Sequence, residues 1–136
     1  MDFDELSEKA SRALFIENVA LNDLLNVNLL ANQEARDHIA SVIFETYLHA
    51  SIMKGLLEAI KKTNEALSEP VGQVEPNRLK SILNAQDQDE AEAMEFYSQA
   101  SIELEDGFLK DLFTAIVKDE ERHHKIVSET AFESSK

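Results

Sequence analysis

The chain has 136 residues, a usual length for one domain. Its 27 acidic and 13 basic residues give a net charge of −14, which argues against partners that are nucleic acids, because clustered Lys and Arg are needed to hold a phosphate backbone. It has no Cys, which excludes disulfides, thiolate nucleophiles and Cys-ligated metal sites. With 43% hydrophobic residues, it is too apolar for an acidic disordered tail.

Location and fold class follow from the apolar pattern and the turn-forming residues. No apolar stretch approaches the ~20 residues of a membrane-spanning helix. The acidic start, residues 1–5, lacks the basic segment of a signal peptide. We therefore expect a cytoplasmic protein without a membrane partner. Three Gly and two Pro are too few for the frequent turns of a β architecture, so we expect an all-α fold.

Four stretches in which apolar residues recur every three or four positions predict four helices, α1 to α4. They cover about residues 6–30, 35–67, 77–104 and 108–127. Asn32-Gln33 separates the first two stretches and Asp106-Gly107 separates the last two. Pro76 suits a helix start, and Gly107 suits a helix C-cap.

Short turns within each half predict two helical hairpins, which would pack as a four-helix bundle. We expect one domain over residues 1–136. Its first hairpin covers about 6–67, its connection 68–76 and its second hairpin about 77–132.

Each predicted helix carries a glutamate on its apolar stripe, and none of these stripes carries a Lys or Arg. Burying unpaired carboxylates costs several kcal/mol each, and a metal ion would supply the missing positive charge. Four Glu and two His from four helices are the ligands of a di-iron or di-manganese carboxylate site. The candidate ligands are Glu17, Glu45, His49, Glu90, Glu120 and His123. Glu121 and His124 fall on a mostly polar row of α4, so we predict that they face outward.

The distances of the four glutamates from the turns of their hairpins agree with this interpretation. Glu17 and Glu45 lie 13 and 12 residues from the turn of the first hairpin, and Glu90 and Glu120 lie 16 and 13 residues from the turn of the second. In an antiparallel hairpin, the members of each pair meet within about one turn, ~5.4 Å.

Two motifs in the second half are typical of a known family. In residues 90–97, Glu90 is followed seven residues later by Tyr97, and residues 119–123 contain Glu120-x-x-His123. With these motifs, and a similar segment at 109–113, the chain resembles the ferritin-like superfamily, most closely its rubrerythrin-like branch. The resemblance covers about residues 85–127.

The resemblance implies a bundle in which α1 and α3 each give one Glu, while α2 and α4 each give Glu-x-x-His, to two iron ions or to manganese. It implies a non-haem protein that reduces peroxide, or oxidises and handles ferrous iron. Tyr97 would be the catalytic tyrosine near the metals. Since the chain has no Cys, it lacks a rubredoxin-type domain, and electrons would come from a separate donor protein.

The first half departs from the family pattern. Leu24 stands seven residues after Glu17, where a Tyr is expected, and Leu48 occupies the histidine position after Glu45. His49 is the candidate substitute, because side chains at i and i+4 share a helix face. Whether one or two metals bind therefore stays open.

The connection between the hairpins is short for this family. Residues 69–76 extend at most ~26 Å. An α2 that reaches Leu67 extends about 33 Å past Glu45, and Glu90 lies about 21 Å beyond Pro76 in α3. A connection that returns the chain to the other end of the bundle would have to span the sum of these lengths, which residues 69–76 cannot do. Either α2 ends near Lys62 or the second hairpin packs with another chain. We favour the latter, a homodimer with exchanged or shared hairpins.

Less specific interpretations also exist. A small rotation of the helices would turn Glu90, Glu120 and His123 toward water. In separate alternatives, Glu17 and Glu45 lie at the edge of the bundle, and His49 and Tyr97 are ordinary hydrogen-bonded core residues. The corresponding function is that of a metal-free helical interaction or structural protein.

Overall fold

The computed structural model of the protein describes residues 2–70 and 72–133. These two ranges form four helices and contain no strand, so the predicted all-α class is confirmed, with the helix number of a four-helix bundle. The helices are α1 (Phe3–Leu30), α2 (Gln33–Ser68), α3 (Pro76–Glu103) and α4 (Phe108–Glu133).

Local capping explains where two of the helices begin. Asn32 precedes α2, and its side-chain oxygen accepts a hydrogen bond from the Ala35 backbone N–H at 2.9 Å. Glu75 precedes α3 and accepts from the Asn77 N–H at 3.2 Å. Pro76 is the first residue of α3, as predicted, because its missing N–H is not needed there.

Gly107 has a different role from the predicted one. The prediction that it caps the end of α3 is wrong, since α3 ends at Glu103 and Leu104 is the capping residue. Gly107 directly precedes α4 with a φ of 148°, in a region that only glycine adopts readily. Its carbonyl accepts the Asp111 N–H at 3.0 Å, within the first turn of α4.

The chain divides into two compact units, and each is one helical hairpin. In the α1–α2 hairpin, Ala10 of α1 and Thr46, Ala50 and Ile60 of α2 are buried. The buried row of α2 is thus rotated by about one residue from the stripe predicted through Glu45.

In the α3–α4 hairpin, aromatic and polar contacts join the two helices. The rings of Tyr97 and Phe113 meet edge to face, with centroids 5.6 Å apart. The Ser128 hydroxyl donates to Asp87 Oδ1 at 2.9 Å. Phe96 stays largely exposed, so the hairpin covers only part of its own apolar surface.

The connection between the units is as short as the sequence suggests. Helix α2 continues to Ser68, so the alternative in which it ends near Lys62 is wrong. The homodimer stays a prediction.

None of the helices in the described ranges contains a stretch that is long and apolar enough to cross a membrane. The cytoplasmic location stays a prediction.

Candidate metal centre

Helices α3 and α4 bring three potential metal ligands together. Glu90 comes from α3, and Glu120 and His123 come from one face of α4. One ligand atom of each lies within 4.8 Å of the other two. His123 Nδ1 is 3.5 Å from Glu90 Oε2 and 3.6 Å from Glu120 Oε2. These three residues are the half of the predicted ligand set that contains the Glu-x-x-His motif.

The burial of these side chains argues against a rotated hairpin with its glutamates in water. The side chains of Glu90 and Glu120 are 14% and 15% exposed, while that of His123 is 42% exposed. The two carboxylates therefore lie between the helices, and the imidazole lies toward the rim. The three-residue step from Glu120 to His123 places both on one face of α4.

The two carboxyl groups interact directly. The hydrogen bond with Glu120 lowers the pKa of Glu90, and a second hydrogen bond, from Gln86 Nε2 at 2.8 Å, acts in the same direction. The contact with Glu90 raises the pKa of Glu120, and partial burial adds to that rise. The pair therefore favours a state in which Glu120 keeps a proton that it donates to ionised Glu90.

Apart from the imidazole of His123, this pair has no basic neighbour in the described ranges. Within residues 2–70 and 72–133, no Lys or Arg nitrogen lies within 4.0 Å of either carboxylate. The neighbouring Arg122 instead pairs with Asp119 on the exposed side of α4, at 3.0 Å. A metal ion held between the carboxylates would offset negative charge that no Lys or Arg offsets.

The ligand group fits a transition-metal ion. Metal–oxygen and metal–nitrogen bonds of roughly 2.0–2.2 Å place two ligands of one ion at most ~4.4 Å apart. The observed spread, within 4.8 Å, needs only small side-chain movements to reach that geometry. Two carboxylates and an imidazole suit iron, manganese or zinc. Three protein ligands leave further coordination positions for other groups.

The α1–α2 hairpin holds a smaller group. His49 Nδ1 lies 3.4 Å from Glu17 Oε1, so the structure brings these two predicted ligands together. Glu45 is exposed and does not form a three-ligand group with them. Its role, and the six-ligand site with residues from all four helices, stay predictions.

His124 does not face outward, and that prediction is wrong. Its Nδ1 is buried 2.7 Å from Asp87 Oδ1 of α3, although the contact lacks hydrogen-bond geometry. The mostly polar row of α4 predicts an exposed face, but Asp87 of α3 lies against His124 and Ser128 of that row. Asp87 could have been found, since it lies one turn before Glu90. Glu121 is exposed, as predicted.

Tyr97 packs among aromatic rings. Besides Phe113, it meets Phe96 edge to face at 5.3 Å. It lies seven residues from Glu90, about 10.5 Å along α3. These contacts are those of a core residue, and its catalytic role stays a prediction.

A groove of about 340 Å³ lies on the α1–α2 hairpin. None of the predicted site residues lines it. Its lining residues are Leu14, Asn18, Leu21, Tyr47, Ala50, Ser51 and Lys54.

Comparison of the chain with protein families, with curated proteins and with solved structures finds no match in any of the three. The resemblance to the ferritin-like superfamily therefore rests on the sequence motifs alone.

Proposed function

We propose that the protein binds iron or manganese through Glu90, Glu120 and His123, and that it is a non-haem metalloprotein that reacts with peroxide or dioxygen. The observation that carries the proposal is the convergence of the three ligand atoms without a Lys or Arg partner in the described ranges. Buried carboxylates are normally paired or bound to metal. The reaction with peroxide or dioxygen comes from the rubrerythrin-like motifs.

A bound iron or manganese ion would supply Lewis acidity and electrons for an oxygen-containing substrate. Glu90, Glu120 and His123 would hold and orient that ion. Gln86 donates to Glu90 Oε1 and fixes its carboxylate, as partners of metal ligands commonly do. Carboxylates bind a metal in their ionised form, so the raised pKa of Glu120 would weaken metal binding as the pH falls.

A second metal position belongs to the same proposal. The resemblance assigns Glu17, Glu45 and His49 to it, and Glu17 and His49 are already in contact. A separate protein would donate electrons, since the chain has no Cys with which to bind a rubredoxin-type iron.

Metal analysis of untagged protein tests the proposal. We expect metal to co-purify, and added ferrous iron to bind anaerobically and to be oxidised rapidly when peroxide is added. Glu120→Ala and His123→Ala should weaken binding strongly, because each removes one of three ligands. Glu121→Ala is the matched control, since its side chain is exposed on the same helix. Equal losses in all three variants, or no binding to the wild-type protein, would refute the proposal.

The second candidate function is that of a metal-free helical interaction protein. It is favoured by large apolar side chains that remain exposed on both hairpins, such as Phe15 and Phe96, and by the exposure of Glu45. A wild-type protein that binds neither iron nor manganese, and whose thermal stability neither metal changes, would support this function instead.

A further inference from the structure

We infer that the turn between α3 and α4 contains a site of spontaneous modification, at which Asp106 converts to isoaspartate through a cyclic succinimide. The site is the Asp106-Gly107 step, where an exposed carboxyl group precedes an amide that donates no hydrogen bond within the described ranges. The reaction does not depend on the metal binding proposed above.

The conversion needs only these two residues and water. The backbone nitrogen of Gly107 attacks Cγ of the Asp106 carboxyl group, the new N–Cγ bond closes the succinimide ring, and the carboxyl hydroxyl leaves with the amide proton as water. Another water molecule then opens the ring. Cleavage of the N–Cγ bond restores aspartate, whereas cleavage of the original peptide bond leaves Gly107 attached to Cγ, which is isoaspartate.

Gly107 favours the attack. It has no Cβ beside the attacking nitrogen, and a Cβ built there would meet nothing within 4 Å, so no atom beyond its chain neighbours crowds this position. Its carbonyl accepts the Asp111 N–H at 3.0 Å, but its own N–H donates to no residue in the described ranges. The other two glycines follow Lys54 and Val71, so the sequence contains one Asp-Gly step and no Asn-Gly step.

The carboxyl group of Asp106 is free to reach that nitrogen. Its side chain is 99% exposed, and its charged contact in the described part of the chain is with Lys110, whose Nζ lies 3.4 Å from Oδ1. An ion pair this exposed is screened by solvent and holds its partners weakly. The pair therefore does not keep the carboxyl group away from the backbone.

The other Asp and Asn residues are protected by their positions. The sequence has nine Asp and eight Asn, and all of them except Asp2, Asn32 and Asp106 lie within helices, where the backbone hydrogen bonds hold the next nitrogen. Asp2 and Asn32 are helix caps, and their side-chain oxygens accept the N–H groups of Glu5 and Ala35 at 2.7 and 2.9 Å.

The first turns of helices have N–H groups without a partner in the helix, so they need separate consideration. Asp4 and Asn77 lie in such turns. The N–H that follows Asp4 donates to the cap of α1, and the N–H that follows Asn77 donates to Glu75 Oε2 at 3.2 Å. Both nitrogens are thus engaged, unlike the nitrogen that follows Asp106.

The modification would change the backbone where the second hairpin turns. An isoaspartate adds one carbon atom to the chain path between Leu104, which caps α3, and Phe108, the first residue of α4. The φ of 148° at Gly107 and its hydrogen bond to the first turn of α4 are set by the unmodified path. We expect the converted protein to unfold at a lower temperature.

Ageing of the full-length protein in neutral buffer tests the inference. Its peptides are analysed by mass spectrometry with electron-transfer dissociation, which distinguishes isoaspartate from aspartate. We expect isoaspartate to accumulate faster at Asp106 than at any other Asp or Asn, and about as fast as in a synthetic peptide of residues 103–110. Asp106→Glu is the matched variant, because it keeps the charge beside Lys110 but must form a larger ring, and it should lose the signal.

Each contrary outcome has a definite meaning. Faster conversion at another Asp or Asn would overturn the inference, because the helices and caps would then not protect those residues. Conversion in the peptide but not in the folded protein would overturn it as well, since the turn would then hold the two groups apart. A converted fraction with the Tm of fresh protein would overturn the expected effect on the turn.

Discussion

At the scale of single residues, Glu90 and Glu120 have opposite electrostatic roles. The pKa of Glu120 is raised by its contact with Glu90, so its contribution to stability is present below ~4.3, the ordinary pKa of glutamate, and is lost as the pH rises through the raised pKa. The pKa of Glu90 is lowered by the same contact, so its contribution is present above ~4.3 and is lost as the pH falls. At pH values above the raised pKa of Glu120, the contact between the two carboxylates therefore lowers the stability of the metal-free protein.

Replacing Glu120 should consequently stabilise the metal-free protein. We expect Glu120→Gln to raise the Tm at pH 7 by roughly 2 °C, an effect on the order of 0.5 kcal/mol, because Gln can still donate to Glu90 but carries no charge. The gain should disappear near pH 4, where wild-type Glu120 is protonated. Thermal unfolding in EDTA measures it.

The exposed neighbour provides the control for this prediction. Glu121→Gln removes the same charge from the same helix without touching Glu90, so its Tm should stay close to that of the wild type. A Tm of Glu120→Gln below that of the wild type at pH 7 would contradict the shared-proton interpretation.

Residue-level prediction from the sequence succeeded where a motif fixed the helix face. Glu120-x-x-His123 places both side chains on one face, and Glu90 meets them at the expected height. It was less accurate on α2, because apolar residues surround much of that helix and several stripes are nearly equivalent. The small Thr46 and Ala50, rather than Glu45, occupy the buried row.

At the scale of helices, the ends were predictable because local chemistry sets them. Asn32 and Pro76 act within one turn of their own positions, so the sequence indicates where α2 and α3 begin. The contact between Asp87 and His124 was not found, because it depends on the rotation of two helices about their axes. Helical periodicity indicates that rotation only when one face is clearly apolar.

Two glycines, one in the α3–α4 turn and one inside α2, offer a test in which the same substitution has opposite effects on stability. Gly107→Ala should destabilise the protein by about 1–3 kcal/mol, since its φ of 148° is strained for any side chain. Gly55→Ala, inside α2, should stabilise it by about 0.5–1 kcal/mol, because a Cβ there meets nothing within 4 Å. Urea unfolding of both variants measures the two effects. Similar changes of the same sign would contradict the structure at the α3–α4 turn.

At the scale of the whole molecule, the acidic surplus of the chain has two parts. Most carboxylates are exposed and keep the net charge at −14, far from zero. Glu90 and Glu120 are largely buried within one hairpin, and no Lys or Arg in the described part of the chain reaches them. A bound metal would offset their charge, so the charge of a metal-loaded protein would be less negative than the sequence indicates.

The central claim is that His123 is a ligand in a metal centre with Glu90 and Glu120. Pulsed electron paramagnetic resonance of the Mn²⁺-loaded protein tests it most directly, because a coordinated imidazole nitrogen modulates the electron spin echo. We predict this modulation in the wild type, its loss in His123→Gln and its retention in His38→Gln, whose side chain is exposed on α2. Modulation that persists in His123→Gln, or that is absent from the wild type, would contradict the claim.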